Sequence, residues 1–179
     1  MNRRLEEISL QRKIYAAAPE VVGGALIVPN GYLVSTAPKN FSADANACSR
    51  VEKIAMEAVM NIERELCNLP EDVSSLKCGY DIESAETDGR LRFIEVKGRN
   101  SSADEVTISK NEILTALNSP ENFILEIVMV DGNSSHVVYL KKSFTASPDF
   151  NAISVNYKIS ALIRQGFVLL DRNIFRGGD

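Results

Sequence analysis

Three rhythms of hydrophobic and polar positions run along this chain, and each change of rhythm marks an element. From Ser49 to Leu69 the spacing is helical: Val51, Ala55, Ala58, Val59, Ile62 and Leu66 fall on one side, with Ser49 suited to the N-cap. Glu52 and Glu63 lie only about 20° apart on that helix and flank its apolar arc, whereas Glu57 points away. Across 90–98 the spacing is two. It sets Leu91, Phe93, Glu95 and Lys97 on one face of a strand and Arg92, Ile94 and Val96 on the other. Phe123 to Val130 is apolar except for Glu126, as expected of a central strand covered on both faces.

Shorter segments complete the order. Residues 3–18 have helical composition and stop before Pro19. Residues 21–28 read as an edge strand that turns through Pro29-Asn30-Gly31 towards 32–35, and 36–47 are polar and turn-rich. Strands are expected at 72–76, 80–84 and 90–98, the last two joined by an Asp88-Gly89 hairpin turn. A polar loop over 99–105 leads to a short extended piece at 105–108. Ser109 and Glu112 then form a capping box for a helix reaching about Leu117, closed by Pro120. Asp131-Gly132 turns the chain into a strand from His136 to Lys141. A loop over 143–153, a helix over 154–165 and an apolar piece at 167–170 follow. The expected organisation is an appendage over 1–47, a main domain over 48–170 and a polar tail over 171–179. Helix, three strands, helix, two strands, helix is the order of an α/β fold with a central mixed sheet flanked by helices. The hairpins argue against a doubly wound dinucleotide fold, and the chain has neither Gly-x-Gly-x-x-Gly after a strand nor a phosphate-loop GKS or GKT.

Composition narrows the function. With 179 residues, the chain is long enough for one well-buried core. No apolar run approaches the roughly 20 residues needed to cross a bilayer, so no membrane partner is expected. Cys48, Cys67 and Cys78 form no paired metal-ligand spacing, which points to a reducing, cytoplasmic setting. The net charge of −4 argues against an independent, tight DNA binder. Either the cations gather on one face, or a partner supplies most of the grip.

Candidate chemistry concentrates between Gly79 and Lys97. If the Asp88-Gly89 hairpin brings the faces of its strands together, Asp81 and Glu95 can ligate one Mg²⁺ or Mn²⁺, with the Val96 carbonyl as a third protein ligand. Lys97 then stands beside the scissile phosphate, orienting a water or countering phosphoryl charge. Glu52, or second to it Glu63, completes the acidic cluster from the preceding helix. Glu112 and Asn111 serve the start of the next helix, and Asn111 and Lys110 are also placed to face a substrate. Arg99, Lys110, Lys141 and Lys142 are candidate phosphate contacts or simply solvated charges. The bland alternative for Asp81, Glu95 and Lys97 is a salt-bridged hairpin surface. Tyr80 reads as packing, and His136 as a partly exposed strand residue.

The pieces VEKIAMEAVMNIERE, EDVS, GYDIES, RFIEVKGR and TISKNEIL resemble, over about 48–170, the PD-(D/E)XK nuclease superfamily. Within it they are most similar to the family of the C-terminal domain of the plant protein NO VEIN, which is fused to many bacterial superfamily 2 helicases in phage-defence loci. The resemblance implies a restriction-endonuclease-like core and Mg²⁺- or Mn²⁺-dependent cleavage of DNA. It matches Asp81 to the acid before the hairpin, Glu95 and Lys97 to the D/E-x-K strand, Glu52 to the helical acid and Glu63 to a second family acid. Tyr80 stands where a proline is usual. Residues 14–29 and the segment VVYLKKSF resemble the helicase-associated members, which implies a superfamily 2 helicase as partner, in cis or in trans. A homodimer would serve the cutting of both strands of a duplex. The alternative function is an inert module that senses DNA structure or docks a helicase.

Overall fold

The structure is a computed structural model that describes residues 41–175, with side chains from residue 46 onward. The expected helix at 3–18 and strands at 21–28 and 32–35 lie outside the described residues. In chain order the elements are α1 (Phe41–Glu65), β1 (Leu69–Asp72), a 3₁₀ turn (Ser74–Leu76), β2 (Ile82–Ala85), β3 (Leu91–Asn100), β4 (Glu105–Ser109) and α2 (Lys110–Asn118). They continue with β5 (Phe123–Asp131), β6 (Ser134–Lys141), β7 (Ser154–Lys158), α3 (Ile159–Gln165) and β8 (Phe167–Phe175).

Six strands form a mixed sheet in the order β1-β2-β3-β5-β6-β8, and β4 and β7 pair separately. Within the large sheet only β3 and β5 run parallel, joined through β4 and α2. The fold is therefore α/β, a central mixed sheet of six strands flanked by three helices. On one face α1 lays Ile54, Ala55, Val59 and Ile62 against Ile94, Ile124, Val128 and Val137. On the other, Ile113 of α2, Leu162 of α3 and Val106 and Ile108 of β4 cover Leu125, Ile127, Val138 and Leu140. Each fully buried aliphatic side chain contributes about 2 kcal/mol, so alternation along β5 secures both layers at once. Among the described residues no helix is long and apolar enough to cross a membrane.

One detail of the ladder creates the site. β2 covers β3 only as far as the Ile82↔Ile94 pair, while β5 continues beside β3 to Asn100↔Val130. From Glu95 onward β3 therefore has one open edge.

Several expected boundaries move. The helix expected from Ser49 already runs from Phe41. Residues 46–50 are helical but wholly exposed, so no apolar stripe announces them. It also ends at Glu65, and Leu66, expected on its buried side, is exposed. The strand expected at 72–76 lies instead at Leu69–Asp72, because the Asp72 carboxylate accepts from the N–H (3.0 Å) and hydroxyl (2.7 Å) of Ser74 and bends the chain. The expected 154–165 helix is a strand followed by a helix: Val155 and Tyr157 alternate against β4 before α3 begins at Ile159. The last apolar piece is longer than 167–170. It continues to Phe175 through Asp171, Arg172 and Asn173, residues expected in a polar tail, because their backbone completes the ladder with β6.

Candidate active site

Close packing of α1 on β3 brings the first carboxylate in. A Cβ on Gly98 would stand 2.9 Å from the Cβ of Ala55 and 2.9 Å from the carbonyl oxygen of Val51. Only glycine admits this approach, and it carries Glu52, Lys53 and Met56 to the open edge of β3. On the other side the chain must return sharply from the 3₁₀ turn. Lys77 adopts the left-handed conformation (φ 52°) and Gly79 has φ 98°. Gly79 is buried so tightly that a Cβ would lie 2.2 Å from Thr115 Oγ1. This return aligns Asp81 with β3, its N–H donating to the Ile94 carbonyl at 2.9 Å.

Asp81 Oδ2 accepts the Val96 N–H at 3.0 Å. By the alternation of the ladder, the Val96 carbonyl lies on the same open edge. Glu95 and Lys97 project to the α2 side, where Lys97 Nζ lies 2.5 Å from Glu95 Oε1 and 2.8 Å from Glu112 Oε2. Glu112 is held by its capping box: its Oε2 accepts the Ser109 N–H at 3.0 Å, and Ser109 Oγ accepts the Glu112 N–H at 3.3 Å. A cavity of about 520 Å³ joins these groups, lined by Glu52, Lys53, Met56, Asp72, Ser74, Asp81, Glu95, Val96, Lys97, Gly98, Arg99 and Glu112. Five of these residues are acids and three are bases. The excess of acid favours a bound cation.

Burial raises the proton affinity of both central carboxyls. Glu95 is 3% exposed, and its pKa is pushed up to about 8, chiefly by desolvation, with Asp81 and Glu112 adding repulsion and Lys97 opposing. Asp81 is raised by burial too, against the Val96 N–H and Lys97, which favour its charged form. At Lys97 burial acts to lower the pKa, but Glu95 and Glu112 outweigh it and the net direction is upward. Lys97 thus stays an ammonium at neutral pH. Glu112 also feels desolvation, yet its bonds to Lys97 and Ser109 leave it lowered.

Asp81, Glu95, Val96, Lys97 and Glu52 meet at one cavity, together with Arg99 and Glu112. Glu63 does not reach it. It is fully buried beneath α1, where Asn68 Nδ2 and Ser84 Oγ each donate to its Oε2 at 2.8 Å and Arg92 lies 3.2 Å from Oε1. Lys110 turns instead to the loop before β7, its Nζ donating to the Phe150 carbonyl at 2.6 Å. Asn111 lines an adjoining cavity. Lys141 donates to the Glu121 carbonyl and Lys142 pairs with the Glu121 carboxylate, each at 2.6 Å. His136 meets Asp171 at 2.6 Å on β8, and Tyr80 stacks on Phe93 with ring centroids 4.7 Å apart. Sequence reasoning missed Asp72, Ser74 and Lys53 as cleft residues. An Asp-x-Ser turn signal was present for the first two; Lys53 carried no signal beyond adjacency to Glu52.

Among the described residues no group of three or more His, Cys, Asp or Glu side chains is arranged to hold a metal ion. Asp81 and Glu95 nonetheless fit Mg²⁺ or Mn²⁺, hard ions that are commonly held by one or two carboxylates and keep several waters. The donors here are all oxygen, and the local acid is in excess.

Fold and cleft together define an α/β domain with an acidic, lysine-bearing site on the exposed edge of a central strand. The family model for the C-terminal domain of protein NO VEIN matches residues 51–140, half of the chain, and the chain belongs to that family. The matched segment contains Glu52, Asp81, Glu95, Lys97 and Glu112. Comparison with curated proteins and with solved structures found no match.

Proposed function

We propose that this chain is a divalent-metal-dependent nuclease domain with a restriction-endonuclease-like core, which hydrolyses phosphodiester bonds in DNA beside a helicase that delivers the strand. The observation that carries the reading is the meeting of Asp81, Glu95 and Lys97 in one cleft, with Glu95 so poorly solvated that its pKa reaches about 8. Perturbed carboxyls in a cleft are candidates for chemistry rather than for surface pairing.

In this reading Asp81, Glu95 and the Val96 carbonyl hold Mg²⁺ or Mn²⁺. The bound ion supplies Lewis acidity at the phosphate and an acidified water. Lys97, kept protonated by its two carboxylate neighbours, counters charge on the phosphoryl oxygens; its raised pKa makes it a poor general base. Glu112 holds that ammonium in place until the phosphate replaces one of its partners. Glu52 and Arg99 line the approach.

Two observations favour a second reading, an inert module that senses DNA structure or docks a helicase. The chain is acidic overall, and Lys97 is already held by both Glu95 and Glu112. Calorimetric titration with Mn²⁺ tests the metal site, and a cleavage assay then separates the two readings. Asp81→Asn and Glu95→Gln are expected to weaken Mn²⁺ binding at least tenfold and to stop cutting. Equal affinity in both variants and the wild type rejects the site.

A further inference from the structure

A second cavity, of about 230 Å³, meets the first at Ser74, Asp81, Glu95 and Glu112. Beyond these shared walls the two diverge. The first extends towards Lys53 and Arg99, the second towards Lys77 and the start of α2 at Ser109 and Asn111. We infer that Lys77 is a positioning residue that grips the backbone phosphate next to the one held at Asp81 and Lys97, so that a continuous strand passes from the Arg99 end of the cleft to the Lys77 end. The inference rests on the nuclease reading and adds to it the course of the substrate.

Three features support this role. Lys77 pairs with no acid among the described residues, whereas Lys97, in the first cavity, is engaged by Glu95 and Glu112. Its placement is fixed by the backbone. The Lys77 N–H donates to the Ser74 carbonyl at 3.4 Å, and two residues on Gly79 is wedged against Asn111 and Thr115. An L-residue in the left-handed conformation is unusual, and lysine gains nothing from it in packing, being exposed. Ser109 and Asn111 supply hydrogen-bonding groups in the same cavity, so beyond the acids shared with the first cavity the arm offers one cation and neutral polar partners, which suits a phosphodiester.

The test is binding of a short fluorescent single-stranded oligodeoxynucleotide to the full chain in Ca²⁺ over a series of salt concentrations. Lys77→Gly suits the left-handed backbone and keeps the fold, which thermal melting checks. It should weaken binding several-fold and lower the slope of log affinity against log salt by about 0.7, one phosphate contact on a single strand. Lys77→Arg should restore both. Unchanged affinity and slope in Lys77→Gly, with wild-type binding intact, overturns the role of Lys77 and leaves the nuclease reading standing. Equal losses in the Gly and Arg variants also overturn it, since charge would then not matter. Failure of the wild type to bind or cut any strand overturns the inference together with the reading beneath it.

Discussion

Glu95 sits almost out of reach of water, two residues from a lysine and close to two further acids, and that setting governs its chemistry. Its carboxyl titrates near 4.5 in ordinary solvent and at about 8 in the fold, so the folded chain holds the proton more tightly across that interval. The stabilisation this represents is complete below about pH 4.5 and is lost as pH rises through about 8. Each unit of such a shift corresponds to about 1.4 kcal/mol. Glu95→Gln removes the titration. Its melting temperature should therefore fall less than that of the wild type between about pH 5 and about pH 8, as scanning calorimetry would read. Lys97 and Glu112 do not disturb this window, because a raised lysine acts above its ordinary value of 10.5 and a lowered glutamate below 4.5. The Asp81–Glu95–Lys97 set was legible in the sequence because it depends on period-two alternation across one hairpin. Glu112 was legible only as a capping residue. Its second duty, pairing with Lys97, depends on where α2 lands. Glu63 shared Glu52's side of the helix, but position along α1 separates them: one reaches the open edge of β3, the other the Arg92 pair under the sheet.

At the scale of elements, the site depends on α1 lying unusually close to β3. Gly98→Ala would place a methyl 2.9 Å from both Ala55 and the Val51 carbonyl, neither of which is a flexible tip. The variant should lose about 1–3 kcal/mol in urea denaturation, and any cutting activity should fall with it, because Glu52 retreats from the cleft. A stability equal to that of the wild type would show that α1 yields more easily than this packing implies. Helix α2, strand β5 and the β2–β3 hairpin could be read from local signals: a capping box, an apolar run and an Asp-Gly turn. β7 and β8 could not. Ser154–Lys158 is a strand because Val106 and Ile108 of β4 offer a partner, some fifty residues earlier in the chain. β8 is an edge strand whose polar residues need bury nothing. Pairing across long sequence separations overrode local composition in both.

For the molecule as a whole, acidity and chemistry pull apart. A net charge of −4 gives net repulsion from a polyanion, and the cleft itself carries more acid than base. In the nuclease reading a bound divalent ion cancels the cleft's excess of acid, and a helicase supplies the remaining grip. Both fit a domain in which several cations are engaged in internal pairs, as with Arg92 on Glu63 and Arg172 on Glu65. The measurement that tests the central claim most directly is cleavage of plasmid, linear duplex and single-stranded DNA by the purified chain. Each substrate is incubated with Mn²⁺, Mg²⁺ or EDTA, and Lys97→Met is assayed beside the wild type. The account predicts cutting with either metal, none in EDTA, and loss of at least a hundredfold in rate for a variant that still melts cooperatively. Cutting by Lys97→Met at the wild-type rate, or a folded wild type that cuts none of the three substrates with either metal, would contradict it.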